Sequence, residues 1–372
     1  GHDFARSFQL TSDGGYIVLG ASDYYCIDKF DFYIIRLDEN GDKIWERVFG
    51  TKDHENMANS IQQTSDEGYI FAGWTSYESI GQGSDIYVVK LDKKGNYIWK
   101  KVYGEKKYDD SASSIQQTSD AGYIVAGCTE SYSAGATDIY IMKLDKNGNV
   151  MWEKTYGGEA NDTPTSIQQT SDGGYIVAGS TESFGAGGSD FYIIKLDKNL
   201  NKVWEKTYGD KDHSEKANSI CEISDGGYIV AGETPYFSHG GSDFYIIKLD
   251  KNGNKVWEKR FGEKNYDDVA SSIQQTPDGG FIVVGWTESY GLGETDVYVI
   301  KLDGKGNKIW EKTYGGKGHD FASSFQLTSD GGCIIAGDSN SFGSGDSDFY
   351  IIKLDKNGDK IWERVFGDKG HF

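Results

Sequence analysis

Residues 165–209 read TSIQQTSDGGYIVAGSTESFGAGGSDFYIIKLDKNLNKVWEKTYG, and this stretch determines the predicted fold class. It holds four short segments rich in Ile, Val, Tyr and Trp, residue types that favour β-strands. The predicted strands, labelled A to D, are Ser166–Thr170, Tyr175–Thr181, Phe191–Leu196 and Lys202–Tyr208. No longer segment carries the apolar stripe of a helix, so we expect no substantial helix.

Turn residues predict how these strands pair. Strands A and B are joined by SDGG at Ser171–Gly174, and strands C and D by turns such as DKNGN at Asp145–Asn149. Asp-Gly, Gly-Gly and Asn-Gly steps tolerate the positive φ angles that tight hairpins need. Each unit is therefore predicted to be a four-stranded antiparallel meander, in which the longer B–C and D–A connections are Gly- or Asp-rich.

The same unit recurs along the whole chain of 372 residues. One tryptophan of strand D repeats at spacings of 52 to 54 residues, as Trp45, Trp99, Trp152, Trp204, Trp257, Trp310 and Trp362. The predicted units are about 1–50, 51–104, 105–157, 158–209, 210–262, 263–315 and 316–372. Four strands at a period near 50 residues predict an all-β protein with a single domain, a seven-bladed β-propeller. A linear β-solenoid is the alternative, but its open edges would need capping segments.

The composition excludes several other classes of protein. The chain has 38 Lys+Arg against 58 Asp+Glu and a net charge of -20, so it lacks the basic surface of a nucleic-acid binder. It has no run of about 18 apolar residues, so we expect no transmembrane segment. An aromatic content of 14% argues against disorder, and the 50 glycines lack the every-third spacing of collagen.

The order of motifs resembles known propellers. Gly1-His2-Asp3 and Gly318-His319-Asp320 resemble the Gly-His dipeptide of WD40 blades, although the Trp-Asp pair is missing. The segment from Asp145 to Trp152 resembles the tryptophan-docking motif of quinoprotein propellers, without its Thr. Over the full chain, the repeat SDGGYIVAG…DFYIIKLDKNGNKVWEKTYGG is similar to uncharacterised secreted or cell-surface propellers of bacteria and archaea. That resemblance implies an extracellular or cell-surface location and no named activity; the sequence leaves a cytoplasmic location open.

The two chain ends bear on how the ring closes. By comparison with WD40 proteins, strand A is expected innermost and strand D outermost. The chain begins in strand A and ends after strand D, so each blade is predicted to be one contiguous unit, without a donated strand. In the alternative frame, Phe8–Gly20 completes the last blade. The tail Gly370-His371-Phe372 looks like the start of another unit, which is consistent with a longer native chain or an assembly.

Binding residues are expected on one face of the disc. The short A–B and C–D turns share one face, here called the turn face, and the variable B–C and D–A loops share the other, the loop face. The B–C loops carry aromatic residues, and two tryptophans break the internal pattern at the end of strand B. A platform for sugar rings or peptide side chains would use them, whereas packing against the next blade is the alternative. The aromatic candidates are Trp74, Trp286, Tyr77, Tyr132, Phe184, Tyr236, Tyr290 and Phe342.

The loop face also carries histidines and acidic residues. The histidine candidates for ligand binding are His54, His213, His239 and His319, but HxH and HExxH spacings are missing, so we predict no metal site. Acids beside strand A would suit a glycosidase pair, but their recurrence favours a structural role in which they accept backbone N–H bonds. These acids are Asp109, Asp110, Asp162, Glu215, Asp267, Asp268 and Asp320. The Asp before strand C recurs in all seven units and is also interpreted as structural.

Cofactors and disulfides have little support. The DKNGN turns resemble half of a calcium loop but lack its sixth-position Gly and twelfth-position Glu, so we predict plain hairpin turns and no cofactor. Weak calcium binding to the acidic surface stays open. The four cysteines, Cys26, Cys128, Cys221 and Cys333, lie at different repeat positions and indicate no disulfide framework, and the redox compartment stays open.

The sequence is compatible with three functions. The first is a non-enzymatic extracellular binding or scaffold propeller that recognises a protein or polysaccharide through the loop face. The second is a carbohydrate-active enzyme, a glycoside hydrolase or lyase, with acidic residues at the channel mouth. The third is a structural unit of a surface layer or filament. The sequence has no GxSxG, P-loop or paired Cys-His pattern, so we predict no catalytic residues, and no nucleic-acid partner is expected.

Overall fold

The computed structural model describes residues 2–22, 30–50, 54–76, 83–105, 107–235, 241–343 and 346–367. These residues form 28 β-strands, arranged as seven four-stranded antiparallel sheets. The predicted all-β, seven-bladed propeller is therefore confirmed. Within the described ranges, no helix has the length and apolar character needed to cross a membrane.

The strands occupy the four predicted positions of each blade. Strands A are β1 (Asp3–Leu10), β5 (Asn56–Gln63), β9 (Asp110–Gln117), β13 (Asp162–Gln169), β17 (Lys216–Glu222), β21 (Asp268–Gln275) and β25 (Asp320–Leu327). Strands B are β2 (Tyr16–Ser22), β6 (Tyr69–Ser76), β10 (Tyr123–Thr129), β14 (Tyr175–Thr181), β18 (Tyr228–Thr234), β22 (Phe281–Thr287) and β26 (Cys333–Ser339). Strands C are β3 (Asp31–Leu37), β7 (Ser84–Leu91), β11 (Asp138–Leu144), β15 (Asp190–Leu196), β19 (Asp243–Leu249), β23 (Asp296–Leu302) and β27 (Asp348–Leu354). Strands D are β4 (Lys43–Phe49), β8 (Tyr97–Tyr103), β12 (Val150–Tyr156), β16 (Lys202–Tyr208), β20 (Lys255–Phe261), β24 (Lys308–Tyr314) and β28 (Lys360–Phe366).

Strand A differs most from its prediction. In the fourth blade it runs over Asp162–Gln169 rather than Ser166–Thr170. It begins earlier because residues of low β-propensity still pair with the end of strand B, from Asp162 opposite Thr181. A β-bulge at Thr165 interrupts the register, and this bulge hid the first half of the strand from the alternation pattern.

The ring closes without exchanging a strand. β1 to β4 form one sheet and β25 to β28 another, so the contiguous frame is confirmed and the frame in which Phe8–Gly20 completes the last blade is wrong. The first and last blades are joined by a bridge between His2 and Ser347 and by a 2.9 Å hydrogen bond from the Asp3 amide to the Ser347 carbonyl. They also share an apolar cluster that contains Phe8, Tyr16 and Phe349.

The hydrophobic core is divided among the blade interfaces. Seven clusters of buried residues are found, and each takes its members from two neighbouring blades. Strands B and C are buried on both faces, as in Tyr175–Thr181 and Asp190–Leu196, whereas strand D is partly exposed, as in Lys202–Tyr208. Each blade therefore depends on its neighbours for burial of its apolar surface, which stabilises a closed ring.

A repeated ion pair stabilises the turn face. A cation near the end of strand C is buried and reaches the aspartate of the A–B turn; in the fourth blade the Lys195 Nζ lies 2.9 Å from both Asp172 Oδ1 and Thr170 Oγ1. We call each such pair a clasp. The seven clasps are Arg36–Asp13, Lys90–Asp66, Lys143–Asp120, Lys195–Asp172, Lys248–Asp225, Lys301–Asp278 and Lys353–Asp330. Because buried charges need partners, the clasp explains why a Lys or Arg sits in an otherwise apolar strand.

The tryptophans of strand D dock onto the following blade, with one exception. Trp204 lies against Gly253 of the next C–D turn and meets the Tyr228 ring edge-on at 5.9 Å. Trp152 is instead 53% exposed. The next turn has Leu200 where the others have Gly, and Leu200 is buried, with a φ of 61°. The leucine thus takes the place of the tryptophan ring, so Trp152 does not dock as the other repeated tryptophans do.

This exception provides a test within one molecule. Trp204→Ala is expected to lower the free energy of unfolding by about 2–3 kcal/mol, because it removes a docked aromatic ring from a blade interface. Trp152→Ala is expected to cost less than about 1 kcal/mol, since its ring is already in solvent. Urea unfolding of both variants measures the difference, and equal losses would contradict the docking role.

Candidate functional site

The seven strands A line the central channel, and each contributes a bulge. At every bulge one residue is skipped by the pairing with strand B, as Arg6 is between Ala5 and Ser7. The skipped residues are Arg6, Asn59, Ser113, Thr165, Asn218, Ser271 and Ser323. Five of these seven line one cavity in the channel, so the bulges supply most of its polar groups.

This cavity has a volume of about 500 Å³ and opens toward the loop face, at what we call the channel mouth. Its wall includes the paired positions at the start of strand A and the end of strand B, where Phe321 lies opposite Asp338. These positions differ from blade to blade, unlike the core. The volume lies within the range of ordinary small-ligand sites.

The charges at the channel mouth are of both signs. Arg6, Lys216 and Asp338 all line the cavity. Burial raises the pKa of Asp338 to about 7, against the opposing effect of Arg6. Glu233 lies opposite Lys216 in the register, and burial raises its pKa as well. The mouth therefore holds fixed cations beside Asp338, an acid whose pKa is raised.

An aromatic patch borders these charges. The rings of Trp286 and Phe321 meet edge-on with their centres 5.5 Å apart, and the His319 ring stacks on Phe321 at 6.0 Å. Trp286 lines the cavity, and its role as part of a ligand platform stays a prediction. Trp74 holds the same register position opposite Met57 and is half-buried, but it is not one of the residues lining this cavity.

The aromatics of the B–C loops lie elsewhere. Each of the four that the structure describes packs against the strand C tyrosine of its own blade, at ring-centre distances of 5.3 to 5.6 Å. These four are Tyr132, Phe184, Tyr290 and Phe342. The packing accounts for their presence in these four units, and it separates them from the channel mouth. Tyr77 and Tyr236 lie outside the described residues.

The candidate histidines do not converge. His54 contacts the Ser76 carbonyl at 2.9 Å and borders a separate cavity between blades 1 and 2. His319 lies 2.7 Å from Glu294, and His213 contacts Asp210. His239 lies outside the described residues. The three described candidates therefore belong to different parts of the rim.

The recurring acids have the structural role expected of them. Asp162 opens strand A, and its Oδ2 accepts hydrogen bonds from the Gly158 amide at 2.8 Å and the Ser183 hydroxyl at 2.6 Å. The Asp of the DKNGN turns behaves in the same way, since Asp250 Oδ1 accepts the amides of Asn252 and Asn254, each at 2.8 Å. Both acids order backbone turns, which confirms the hairpin interpretation.

The sequence pointed to Trp286 but missed its surroundings. Arg6, Lys216, Phe321 and Asp338 were not candidates, although they vary between units at the bulge or at the positions beside it. Variation at the second residue of strand A was the available signal. It became interpretable only when the register showed that this residue faces the end of strand B.

The fold and its channel define the chain as a seven-bladed β-propeller. A family described as a domain of unknown function (DUF5122) β-propeller matches residues 170–202. The chain is also similar to the regulatory protein FlaEY of Caulobacter vibrioides, with 21% identity over 262 residues, which is 60% of this chain and 26% of the relative. It thus spans about a quarter of that curated relative's length.

Two solved structures show a similar fold. Sqt1 of Chaetomium thermophilum superimposes with a TM-score of 0.55 at 13% identity, covering 100% of this chain and 87% of Sqt1. The β-propeller domain of the Trilobed protease from Pyrococcus furiosus superimposes with a TM-score of 0.51 at 12% identity, covering 99% of this chain and 96% of that domain. That domain is described as having an open velcro topology, and the present ring likewise closes without an exchanged strand.

Proposed function

We propose that this chain is a non-enzymatic binding propeller of the extracellular space or cell surface, which holds a polysaccharide at the channel mouth. The observation that carries the proposal is the Trp286–Phe321 pair bordering a polar cavity of about 500 Å³. Aromatic rings beside hydrogen-bonding groups suit a sugar ring, whose faces are apolar and whose edges carry hydroxyls. The extracellular setting rests on the resemblance of the repeat to secreted propellers.

The polar groups of the cavity support a carbohydrate over a purely apolar ligand. Asn59, Asn218 and Ser271 line the wall, together with Arg6 and Asp338. Such side chains donate and accept hydrogen bonds in several directions, as sugar hydroxyls require. A protein ligand that inserts a polar side chain into the mouth is the other form of the same binding function.

A carbohydrate-active enzyme is the second candidate, and one observation favours it. Asp338 has a pKa of about 7, which suits a general acid. Hydrolysis of a glycoside ordinarily needs two carboxylates about 5–10 Å apart, however, and Asp338 is the single carboxylate among the described residues lining this cavity. The wall therefore favours binding over turnover.

The binding proposal is tested by screening the full chain on a glycan array and measuring the affinity of the best glycan. Trp286→Ala is expected to weaken that affinity by about tenfold or more, because aromatic contacts at the centre of a site carry much of the binding energy. Trp74→Ala is the matched control, since it changes the same register position outside the cavity and is expected to leave the affinity unchanged.

The same glycan then separates binding from hydrolysis. A reducing-end assay with the unmodified chain is expected to show no product. Product release that Asp338→Asn abolishes would establish the enzyme instead. Absence of any glycan ligand, or equal affinity of the Trp286→Ala variant, would overturn the polysaccharide proposal.

A further inference from the structure

The loop that connects blades 4 and 5 gathers three potential metal ligands. Asp210, His213 and Glu215 each offer one ligand atom, and these atoms lie within 4.8 Å of one another. Asp210 lies two residues after the end of β16 (Lys202–Tyr208), and Glu215 directly precedes β17 (Lys216–Glu222). In the part of the chain that the structure describes, no other group of three such residues comes this close.

The glutamate leaves one buried carboxylate oxygen available to a cation. Glu215 is completely buried, and its Oε1 accepts a 3.0 Å hydrogen bond from the Thr234 hydroxyl. Its Oε2 is shielded from solvent and has no hydrogen-bond partner among the described residues. This atom points toward Gly209, where it lies 2.5 Å from the position that a Cβ would take. A buried carboxylate oxygen without a partner is costly unless a cation or donor meets it.

A further carboxylate approaches the same point from blade 4. Asp190 Oδ1 lies 2.0 Å from the position that a Cβ on Gly209 would take, so a side chain there would fill this space. The glycine thus leaves room between two buried carboxylates, directly beside Asp210. Negative charge accumulates here, so a bound cation would be favourable.

Comparison with other blades shows which part of the arrangement is specific to this loop. A glycine between two buried carboxylates, and a buried carboxylate oxygen without a partner, also occur elsewhere in the ring, as at Gly262 between Asp243 and Asp268. The loops before β9 and β21 have the same length, and they carry Glu105, Tyr108 and Asp110, or Glu263, Tyr266 and Asp268, at the corresponding positions. There the buried aspartate accepts a hydroxyl hydrogen bond, from Ser131 to Asp110 and from Ser289 to Asp268. A histidine and the longer glutamate occur together in the loop between blades 4 and 5.

We propose that Asp210, His213 and Glu215 bind one divalent transition-metal cation, which links blade 4 to blade 5. An imidazole nitrogen with two carboxylate oxygens is a ligand set that zinc and related metals accept. The spacing Asp-x-x-His-x-Glu is not a recognised motif, so the sequence predicted no metal here. The ligands span the junction between two blades, and binding therefore stabilises that interface.

The proposal is tested with Zn²⁺ alone, added to the metal-free full chain. Isothermal titration calorimetry is expected to show one Zn²⁺ bound per chain, with a rise in Tm. His213→Gln is expected to weaken binding by at least about tenfold, because it removes a ligand. Glu215→Asp is expected to do the same, since the shorter side chain withdraws its oxygen. This variant should fold, because Asp110 and Asp268 already occupy the position in loops of equal length.

A matched control distinguishes the site from a surface histidine. His319 also pairs with a carboxylate, Glu294, at 2.7 Å, but it belongs to no group of three ligands among the residues described. His319→Gln is therefore expected to leave Zn²⁺ affinity and stoichiometry unchanged. Absence of saturable binding, or binding that persists unweakened in both His213→Gln and Glu215→Asp, would overturn the proposal. Neither result bears on glycan binding at the channel mouth.

Discussion

Gly179→Ala is expected to lower the free energy of unfolding by about 4 kcal/mol, among the largest effects of a single methyl group. Gly179 lies in strand β14, where an added Cβ would sit 2.0 Å from the Thr163 carbonyl oxygen and 2.8 Å from the Pro164 Cα. Both atoms belong to the backbone of the bulged strand A, so a side-chain rotation cannot relieve the clash. The variant must shift the two paired strands or lose their register.

The same close approach occurs in every blade. A Cβ on the corresponding glycine would lie 1.8 to 2.3 Å from a strand A carbonyl in all seven cases. These glycines are Gly20, Gly73, Gly127, Gly179, Gly232, Gly285 and Gly337. The bulge that presents residues to the channel thus requires a glycine opposite it. The bulge of strand A is therefore the reason both for the polar residues at the channel mouth and for the glycine of strand B.

Gly173→Ala is the matched control in the same blade. Gly173 has a φ of +80°, and nothing lies within 4 Å of the position its Cβ would take. Ala121 already adopts a φ of 65° at the corresponding turn position. We therefore expect a cost of about 1 kcal/mol or less. Urea unfolding compares the two variants, and a loss at Gly179 no larger than that at Gly173 would show that the bulge can relax.

The protein is expected to be most stable near pH 4.5 and less stable at pH 7.5. Pairs of buried carboxylates cause this, such as Asp243 and Asp268 on either side of Gly262. Burial, with the charge of Asp268, raises the pKa of Asp243 to about 6, from an ordinary value of 3.8. For an acid with a raised pKa, the stabilising contribution is present at low pH and is lost as pH rises through the folded value. For Asp243 alone, the difference between its pKa in the folded protein and its ordinary pKa corresponds to ~3 kcal/mol in the free energy of unfolding.

The clasps act in the opposite direction at lower pH. The Thr276 hydroxyl and the Lys301 ammonium hold the pKa of Asp278 at about 2. An acid with a lowered pKa stabilises the fold above its unfolded pKa, near 4, and this contribution is lost as pH falls toward 2. The clasp aspartates are largely exposed, so each loss is small. The buried carboxylate pairs lose stability as pH rises and the clasps lose it as pH falls, so the pH of maximum stability lies between these two ranges. Reversible urea unfolding from about pH 3 to pH 8 measures it.

The Asp268→Asn variant tests whether the buried carboxylate pairs cause the lower stability at neutral pH. It is expected to raise the free energy of unfolding at pH 7.5 by about 1–2 kcal/mol and to leave stability near pH 4 unchanged. The second blade already contains this arrangement, since the Asn56 amide donates to Asp31 Oδ1 at 3.3 Å. Asp212→Asn removes the same charge from an exposed loop and should have little effect. A stability maximum near pH 7, or no gain in Asp268→Asn, would contradict this account.

Local chemistry explains why the fold was predictable and the site was not. Turn residues at Ser171–Gly174 and the apolar strands B and C are local signals, and the structure confirms the hairpins they predict. The site depends on contacts between units. Trp286 was identified because it breaks the pattern, but Phe321 and Asp338 belong to the next blade. Likewise, Glu215 looked like the other recurring acids until the loop placed His213 and Asp210 beside it.

The number of blades, the order of strands and the face that carries variable loops all follow from the amino-acid sequence, because hairpin pairing depends on residues close in the chain. Tertiary structure decided which residues meet. The bulge of strand A turns Arg6 into the channel wall, Leu200 displaces Trp152 from its docking place, and a closed ring brings blade 7 against blade 1. These outcomes follow from packing between blades, where the space left by one residue is set by residues about fifty positions away in the chain.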